Sequence, residues 1–293
     1  TQMGIVQTSH DYQSIYRMDI PIMKLFVQPY GGKEYDLTAR LPSVKFLDMK
    51  SSAPQLTGDW LTIAGSDGQR LQNATYGSNQ VTVSLFIKGR NMADFRLLKA
   101  ELNRVFYQRG LMRLRSTLEP FKTFWVMANP TDITPIQASS QGTVDLVFTN
   151  PSGMAQSLVR SDKLPDDLSS LGFGMNLPAK LLSYVGTSNQ FSIYNPSDVA
   201  IDPYVNHHDL VLTVKGSGAF TLTNQTNGTS IKLNKAMGSG DTFVLNGVIP
   251  TLNGSTDVDT DFGHIELERG DNDIRLSGLS NANVTFSFPF LYF

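Results

Sequence analysis

Four histidines are the first candidates for metal binding or acid–base chemistry: His10, His207, His208 and His264. Neighbouring side chains on a strand point to opposite faces, so His207 and His208 cannot both reach one metal ion from a strand. His10 has no candidate partner near it in the sequence. The spacing therefore favours ordinary loop or strand histidines over a zinc site or a catalytic base.

Carboxylates form the second set of candidates. Asp257, Asp259 and Asp261 are spaced like half of a calcium loop, but the glycine at its sixth position is missing. Glu266 and Glu268 fall on one face of the predicted strand HIELE, and a glycosidase would need a second carboxylate facing the first across a cleft. Nothing in the sequence positions such a partner, so the pattern favours a solvated loop and a solvent-facing strand. We expect no enzyme and no bound metal or cofactor.

Composition excludes further classes of function. The chain has 293 residues with no cysteine, which rules out disulfides, thiolate catalysis and cysteine-bound metals. Its net charge of -2 means that the chain as a whole is not cationic, so overall charge does not favour binding to nucleic acid. The longest apolar runs are strand-sized, and the first residues lack the charged and apolar regions of a signal peptide. We therefore expect a soluble protein with no export signal and no membrane insertion.

The second half of the chain reads as a series of short alternating strands. Leu210, Leu212 and Val214 fall on one face of the first long strand, as expected where one side of a sheet is buried. Asn-Gly pairs at Asn227, Asn246 and Asn253 supply residues that tolerate the positive φ of tight hairpin turns. The pattern predicts an antiparallel β-sandwich over residues 190–293.

The first half has strands and one helix. Val81, Val83, Leu85 and Ile87 alternate with polar residues and predict a half-buried strand. The period changes between Asn91 and Phe106, where apolar residues recur at three-and-four spacing behind an Asn N-cap. We predict a mainly β protein with one helix, packed on antiparallel sheets in a first domain over residues 1–150. Residues 151–189 are poor in strand pattern and are predicted to connect the two domains.

Aromatic residues have two readings. Trp60 and Trp125 are single in their strands, and Tyr194 and Tyr204 stand near the start of the second domain. Core packing is the favoured role for all four. Aromatic rings beside polar loops also stack on sugars, so Tyr194 and Tyr204 are alternative saccharide contacts.

The order of these elements resembles the distal tail proteins of siphophages, which join the tail tube to the tip or baseplate. In the first half the similar stretches are PSVKFLDMKSSAP, DWLTIAGSDGQRL and VTVSLFIKGRNMADFRLLKAELNRVF. In the second half they are FSIYNPSDVAIDPYV, LTVKGSG, TNQTNGTSIKL, DTFVLNG, LERGDNDIRLSG and VTFSFPFLYF. Each stretch is common in β-sandwiches, and the resemblance lies in their joint order over nearly the whole chain.

The resemblance implies a structural virion protein at the distal end of a phage tail, assembled in the cytoplasm of the bacterial host. The first domain would form a homo-hexameric ring on the tail tube, with a lumen through which DNA passes. The second would be a galectin-like β-sandwich that projects outward. Expected partners are the tail tube protein, a tail-associated tip protein, and receptor-binding or baseplate proteins.

A closed ring needs two different contact patches on each subunit, and extended segments often supply one of them. The polar, turn-rich segment Gly65–Asn79 lies between two strands and is a candidate for a hairpin arm that reaches a neighbour. A surface hairpin without a partner is the alternative. The predicted subunit contacts are Asp67, Gly68, Arg70, Leu71 and Tyr76.

Two other classes of function stay open on the sequence alone. A carbohydrate-binding protein that contacts host cell-wall saccharide would use the sandwich and its aromatic residues, but it leaves the first domain without a role. A glycan hydrolase would need two facing carboxylates, and the sequence has only dispersed acids.

Overall fold

The computed structural model describes residues 23–137, 139–165, 174–178 and 182–293. His10 and parts of the predicted connection 151–189 lie outside these residues. The first part of the chain forms β1 (Leu25–Gln28), β2 (Tyr35–Asp36), α1 (Leu37–Arg40), β3 (Val44–Ser51), β4 (Leu56–Leu61), β5 (Arg70–Tyr76), β6 (Asn79–Lys88), α2 (Met92–Phe106), β7 (Met112–Ser116), β8 (Lys122–Ala128) and β9 (Gln141–Asn150).

In the remainder, the described residues form strands and one short 3-10 helix, Ser161–Lys163. Its strands are β10 (Ala155–Ser157), β11 (Val185–Gly186), β12 (Gln190–Asn195), β13 (Val211–Asn224), β14 (Ser230–Met237), β15 (Thr242–Asn246), β16 (Ile249–Leu252), β17 (Gly270–Ser277), β18 (Ser280–Ser287) and β19 (Leu291–Tyr292). The chain is therefore mainly β, as the alternating patterns predict.

The first sheet is antiparallel, in the order β2-β1-β7-β8-β9-β6-β3. The predicted inward face of β6 is confirmed, because Val81, Val83, Leu85 and Ile87 are all buried. Strand β6 pairs along its full length with β9, which contributes Leu146 to the same core. This long central pair gives the first sheet a rigid base from which other segments project.

The predicted helix is confirmed as α2. The side chain of Asn91 accepts a hydrogen bond from the Asp94 backbone amide at 2.9 Å, which caps the helix at its predicted start. The apolar stripe of α2 faces the first sheet, and the ring of Phe106 packs edge-on against Phe148 of β9 at 5.3 Å. Because the stripe is buried, α2 packs on one face of the first sheet.

The second part is the predicted β-sandwich. One sheet has the order β11-β18-β13-β15-β16, and the other has β12-β17-β13-β14. Strand β13 belongs to both sheets: residues 211–215 pair with β15 and β18, whereas residues 220–224 pair with β14 and β17. Such strands make the corners of sandwiches where the backbone bends or bulges.

The bend in β13 depends on two glycines. Gly216 has φ 149° and Gly218 has φ 128°, a backbone conformation that other residues rarely adopt. A Cβ atom at Gly218 would lie 2.3 Å from the carbonyl oxygen of Gly278. Glycine at position 218 therefore allows β13 to lie close to the turn between β17 and β18, at the point where β13 passes from one sheet to the other.

The end of the chain returns to the first sheet. Phe286, Phe288 and Phe290 are all buried, but strand β18 ends at Ser287, before Pro289. Strand β19 then pairs with β10, which in turn pairs with β8. The two parts of the chain are thus joined both by the connecting segment and by this returning strand, and the boundaries predicted at residues 150 and 190 stay a prediction.

Candidate subunit interface

A hairpin arm projects from the first sheet between β3 and β6. Within the described part of the chain, strands β4 and β5 pair only with each other, so they form a sheet of two strands. Every residue of β5 is exposed, and so is nearly every residue of β4. The arm is longer than the predicted segment 65–79, because its first strand begins at Leu56.

The two faces of the arm differ in polarity. Cross-strand pairs share a face, and successive pairs alternate between faces. Leu56 pairs with Tyr76, and Gly58 pairs with Ala74 on the same face. The register then shifts by one residue at a β-bulge between Asp59 and Trp60, so that Trp60 pairs with Leu71. The other face carries the pairs Thr57–Thr75, Asp59–Asn73 and Leu61–Arg70, in which Leu61 is the one apolar residue. The arm is amphipathic, with one apolar face and one polar face.

The apolar face is open to solvent. Leu56 is 63% exposed, Trp60 is 55% exposed, and Leu71 and Tyr76 are each 47% exposed. Monomeric proteins seldom expose apolar side chains in such a continuous group, and groups of this kind mark interaction sites. We call the side chains of Leu56, Trp60, Leu71 and Tyr76 the arm face.

A glycine shapes the arm face. A Cβ atom at Gly58 would lie 2.7 Å from Nε1 of Trp60. The indole ring therefore lies against the backbone at Gly58, and no larger residue fits there without displacing it. This packing holds the largest side chain of the arm flat along the hairpin.

The base of the arm is fixed to the first sheet. The Gly77 backbone amide donates to the carbonyl oxygen of Gln55 at 2.6 Å, and Nδ2 of Asn79 donates to the carbonyl oxygen of Ser52 at 2.7 Å. The ring of Tyr76 also packs on the ring of Phe293, with 5.0 Å between the ring centres. The arm therefore leaves the sheet in a defined direction.

The structure places all five predicted contact residues on the arm. Asp67 and Gly68 lie in the turn at its tip, where Gly68 has φ 76°. Arg70 and Leu71 lie in β5, and Tyr76 ends that strand. The sequence reasoning missed Leu56 and Trp60, although the alternation Leu56-Gly58-Trp60 puts them on the same face.

The prediction that Trp60 packs in a core is wrong, because its side chain is 55% exposed on the arm. Trp125 is half-buried on the first sheet beneath the guanidinium group of Arg113. The alternation of β4 correctly indicates a strand with one apolar face. It does not say whether that face is covered within the chain or by another molecule.

The candidate chemical groups of the sandwich have structural partners. Among the described residues, no group of three or more His, Cys, Asp or Glu side chains is placed to hold a metal ion. Asp261 accepts hydrogen bonds from the backbone amides of Lys232 and Gly263, and Asp259 accepts one from Asn234. These carboxylates stabilise the loop that contains them.

The prediction that HIELE is a strand is wrong. This segment forms a single bridge, between Leu267 and Ile201. Its backbone bonds to side chains instead: Asn224 donates to the carbonyl oxygen of Glu266 at 2.7 Å, and Asn272 accepts from the amide of Glu268 at 2.8 Å. Because these side chains satisfy the backbone groups, the segment needs no neighbouring strand.

The two alternative saccharide contacts have different surroundings. The hydroxyl group of Tyr194 donates to the carbonyl oxygen of Asn176 at 3.2 Å, and its ring is half-buried. Tyr204 is 59% exposed, and its ring stacks on the imidazole ring of His264 at 4.8 Å. The exposed residue of the pair is therefore Tyr204.

No helix in the described ranges is long and apolar enough to span a membrane. Residues 30–148 match the family model of the phage tail protein RIFT-related domain. No curated protein matches the chain in sequence. The matched range includes the arm, α2 and most of the first sheet.

Solved structures match nearly the whole chain. The crystal structure of the Dit protein of phage SPP1, described as a paradigm of the hub adsorption apparatus in phages that infect Gram-positive bacteria, matches with a TM-score of 0.59 and 12% identity over 91% of this chain and 99% of that chain. Two structures of the phage p2 baseplate in its activated conformation, one with Ca and one with Sr, match over 92% of this chain and 98% of theirs, at 12% and 13% identity and a TM-score of 0.44. The predicted resemblance to distal tail proteins is confirmed in the fold.

Proposed function

We propose that this chain, which carries a phage tail RIFT-related domain and has the fold of the SPP1 Dit protein, is a structural protein of a siphophage tail tip. Six copies form a hub between the tail tube and the baseplate or tail fibre, at the distal end of the virion tail. The role is structural rather than catalytic. The observation that carries this proposal is the exposed arm face on a hairpin whose two strands pair only with each other among the described residues.

An isolated two-stranded hairpin is at best marginally stable in water. The arm face adds a second cost, because full burial of a large apolar side chain supplies about 1.5–3 kcal/mol and each of these half-exposed side chains forgoes roughly half of that. Both costs are removed if the arm lies on a neighbouring subunit. Contact of an arm on one side of each subunit with a different patch on the next produces a head-to-tail ring, which closes when the rotation allows it.

A central lumen fits the charge of the chain. With a net charge of -2, a ring of these subunits is not broadly cationic and would not hold passing DNA through its phosphates. The ring would stack on the tail tube protein on one side and on a tail-associated tip protein on the other. The sandwich would project outward towards receptor-binding or baseplate proteins. Assembly would take place in the cytoplasm of the bacterial host.

The test is the oligomeric state of the purified chain. We expect light scattering to give the molar mass of a hexamer and negative-stain images of the same peak to show six-fold rings with a central hole. The proposal would be contradicted if the chain stayed monomeric at high protein concentration both alone and with added tail tube protein.

Substitutions in the arm test the interface itself. The double variant Trp60→Ser/Leu71→Ser removes the two central members of the arm face and should yield monomers. The matched control Thr57→Ala/Thr75→Ala changes a cross-strand pair on the opposite face and should leave rings intact. Circular dichroism should show the same β content in both variants. Rings formed by the Trp60→Ser/Leu71→Ser variant would show that the arm face does not join subunits.

A further inference from the structure

Two neighbouring loops and one irregular segment of the sandwich expose apolar side chains beside one another. Tyr204 is 59% exposed, Val205 65%, Ile249 57% and Phe262 84%. Pro203, next to Tyr204, lies 4.0 Å from the position of a Cβ atom at Gly247, two residues before Ile249. The ring of Tyr204 stacks on His264, two residues after Phe262. We call Tyr204, Val205, Ile249 and Phe262 the loop patch.

The loop that carries Tyr204 and Val205 is held in one conformation. The carboxylate of Asp202 is buried and accepts hydrogen bonds from the backbone amides of Tyr204 at 2.8 Å and Val205 at 2.9 Å. It also accepts one from Nδ2 of Asn206 at 2.8 Å. Because the loop is ordered before any partner arrives, binding through it costs less conformational entropy.

Phe262 is held in a strained conformation. Its φ of 57° lies in the left-handed region, which is unfavourable for an aromatic residue. The next residue, Gly263, sits so close to the carbonyl oxygen of Ser230 that a Cβ atom there would lie 2.0 Å from it. The ring is 84% exposed, so its burial within the chain does not offset the strain. Strain of this kind is typical of positions that serve binding.

The segments around the loop patch are acidic. Residues 198–209 contain three Asp and no Lys or Arg, and residues 236–268 contain six Asp or Glu between Lys235 and Arg269. Lys232 is exposed as well, and its backbone amide donates to Asp261. Arg160 neutralises one of these charges, at Asp209, and His264 bonds to Glu266 at 2.9 Å. Three more, Asp257, Asp259 and Asp261, lie in the loop that leads to Phe262. The loop patch therefore has an apolar centre beside segments in which acidic residues outnumber basic ones.

We propose that the loop patch binds a protein partner whose contact surface presents apolar side chains flanked by Lys or Arg. This inference rests on the proposed function, in which the sandwich faces other tail proteins, and it states the chemistry of that contact. The apolar side chains supply the buried centre, and the acidic segments select a basic rim on the partner. The same charge repels nucleic acid and anionic wall polymers.

The first experiment selects ligands from a library of random 12-residue peptides on the immobilised full chain. Enriched peptides should combine aromatic or aliphatic residues with a net positive charge. A selected peptide should then bind the Phe262→Asn variant at least about tenfold more weakly than the unmodified chain. Asn tolerates positive φ, so this variant should unfold at the same temperature or higher, which separates lost binding from lost structure.

Leu97→Ser is the matched control, because Leu97 is 65% exposed on α2 in the first part of the chain. Its binding of the selected peptide should not change. Enrichment of neutral or acidic peptides, or equal binding by the Phe262→Asn variant, would overturn the inference. So would binding of purified cell-wall saccharide that is lost in Tyr204→Ser. Peptide selection does not require ring formation. If the chain forms rings but selects no basic apolar peptides, only this inference is refuted. If it selects such peptides but forms no rings, only the proposed hub is refuted.

Discussion

Nδ2 of Asn224 donates a hydrogen bond to Oδ1 of Asn272 at 2.9 Å, and both side chains are completely buried in the sandwich. Asn272 also bonds to both backbone groups of Glu268, at 2.8 Å each. This pair therefore holds in place the irregular segment that contains Glu266 and Glu268. Buried amides of this kind stabilise a structure only while every member is satisfied.

Replacement of Asn272 by Ala should destabilise the chain by about 3 kcal/mol, because it leaves several buried polar groups without a partner. The free energy of unfolding in urea measures the effect. Asn283→Ala changes an exposed asparagine of β18 and should stay within about 0.5 kcal/mol of the unmodified chain. Equal stability of the two variants would show that the buried pair contributes little.

Glu34 binds two arginines of β7, and its removal should also destabilise the chain. Its carboxylate accepts a hydrogen bond from Arg113 at 3.0 Å and another from Arg115, whose guanidinium group lies 4.0 Å from the ring centre of Phe26. Glu34→Gln would leave two partly buried cations without a counter-charge, and we expect a loss of about 1–3 kcal/mol. Glu101→Gln breaks an exposed pair with Arg104 and should cost less than about 0.5 kcal/mol.

The same glutamate predicts a dependence on pH. Burial raises the pKa of Glu34, but the hydrogen bonds and charges of Arg115 and Arg113 together hold it below its ordinary value of 4.5. A carboxylate with a lowered pKa stabilises the fold above that ordinary value, and the stabilisation is lost as the pH falls through the lower, folded-state pKa. As the pH falls from neutral to strongly acidic, the free energy of unfolding in urea should decrease less for Glu34→Gln than for the unmodified chain. An equal decrease in both proteins would contradict this.

The bend in β13 predicts a large effect at Gly218. An alanine there combines an unfavourable φ with a clash against the carbonyl oxygen of Gly278, and should cost about 3 kcal/mol or more. The control is Gly240→Ala, because a Cβ atom at Gly240 would have no neighbour within 4 Å. Thermal unfolding should distinguish the two variants by many degrees. A stable Gly218→Ala variant would mean that β13 can bend elsewhere.

His208 gives the opposite pH dependence to a surface histidine in an ion pair. Burial lowers its pKa below 6.5, although the carbonyl oxygen of Ala200 and the charge of Asp202 act in the other direction. The unfolded chain therefore takes up a proton first, and stability falls as the pH drops below about 6.5, by at most about 1.4 kcal/mol per pH unit. Urea unfolding should show a smaller slope for His208→Asn. His207→Asn changes the exposed neighbour and should leave the pH dependence of stability unchanged. A weaker pH dependence in both variants would show that it does not come from His208.

Local sequence patterns correctly predicted helix, strand and turn elements whose backbone hydrogen bonds join backbone groups to one another. The Asn91 cap and the three-and-four spacing located α2, and the Asn246-Gly247 pair located the turn between β15 and β16. The segment at Glu266 was missed because its alternation is that of a strand, whereas its partners are asparagine side chains from distant positions. A sequence pattern does not reveal which distant side chain will replace a neighbouring strand.

The candidate interface was predicted in part for a similar reason. The polar turn around Gly68 pointed to a hairpin, and the predicted contacts lie on it. Trp60 was placed in a core because a large apolar residue in an alternating strand is usually buried. The arm face is instead exposed in this chain, and a single sequence does not record whether another molecule covers it.

Strand β19 lies beyond the whole sandwich in the chain, yet it completes the edge of β10 beside the first sheet, with Tyr292 paired to Ala155. Strand β10 precedes the strands of the sandwich in the chain and β19 follows them, so this pairing closes a loop that contains the whole sandwich. The edge of β10 is covered only when the sandwich has brought β19 back to it, which couples the folding of the two parts of the chain.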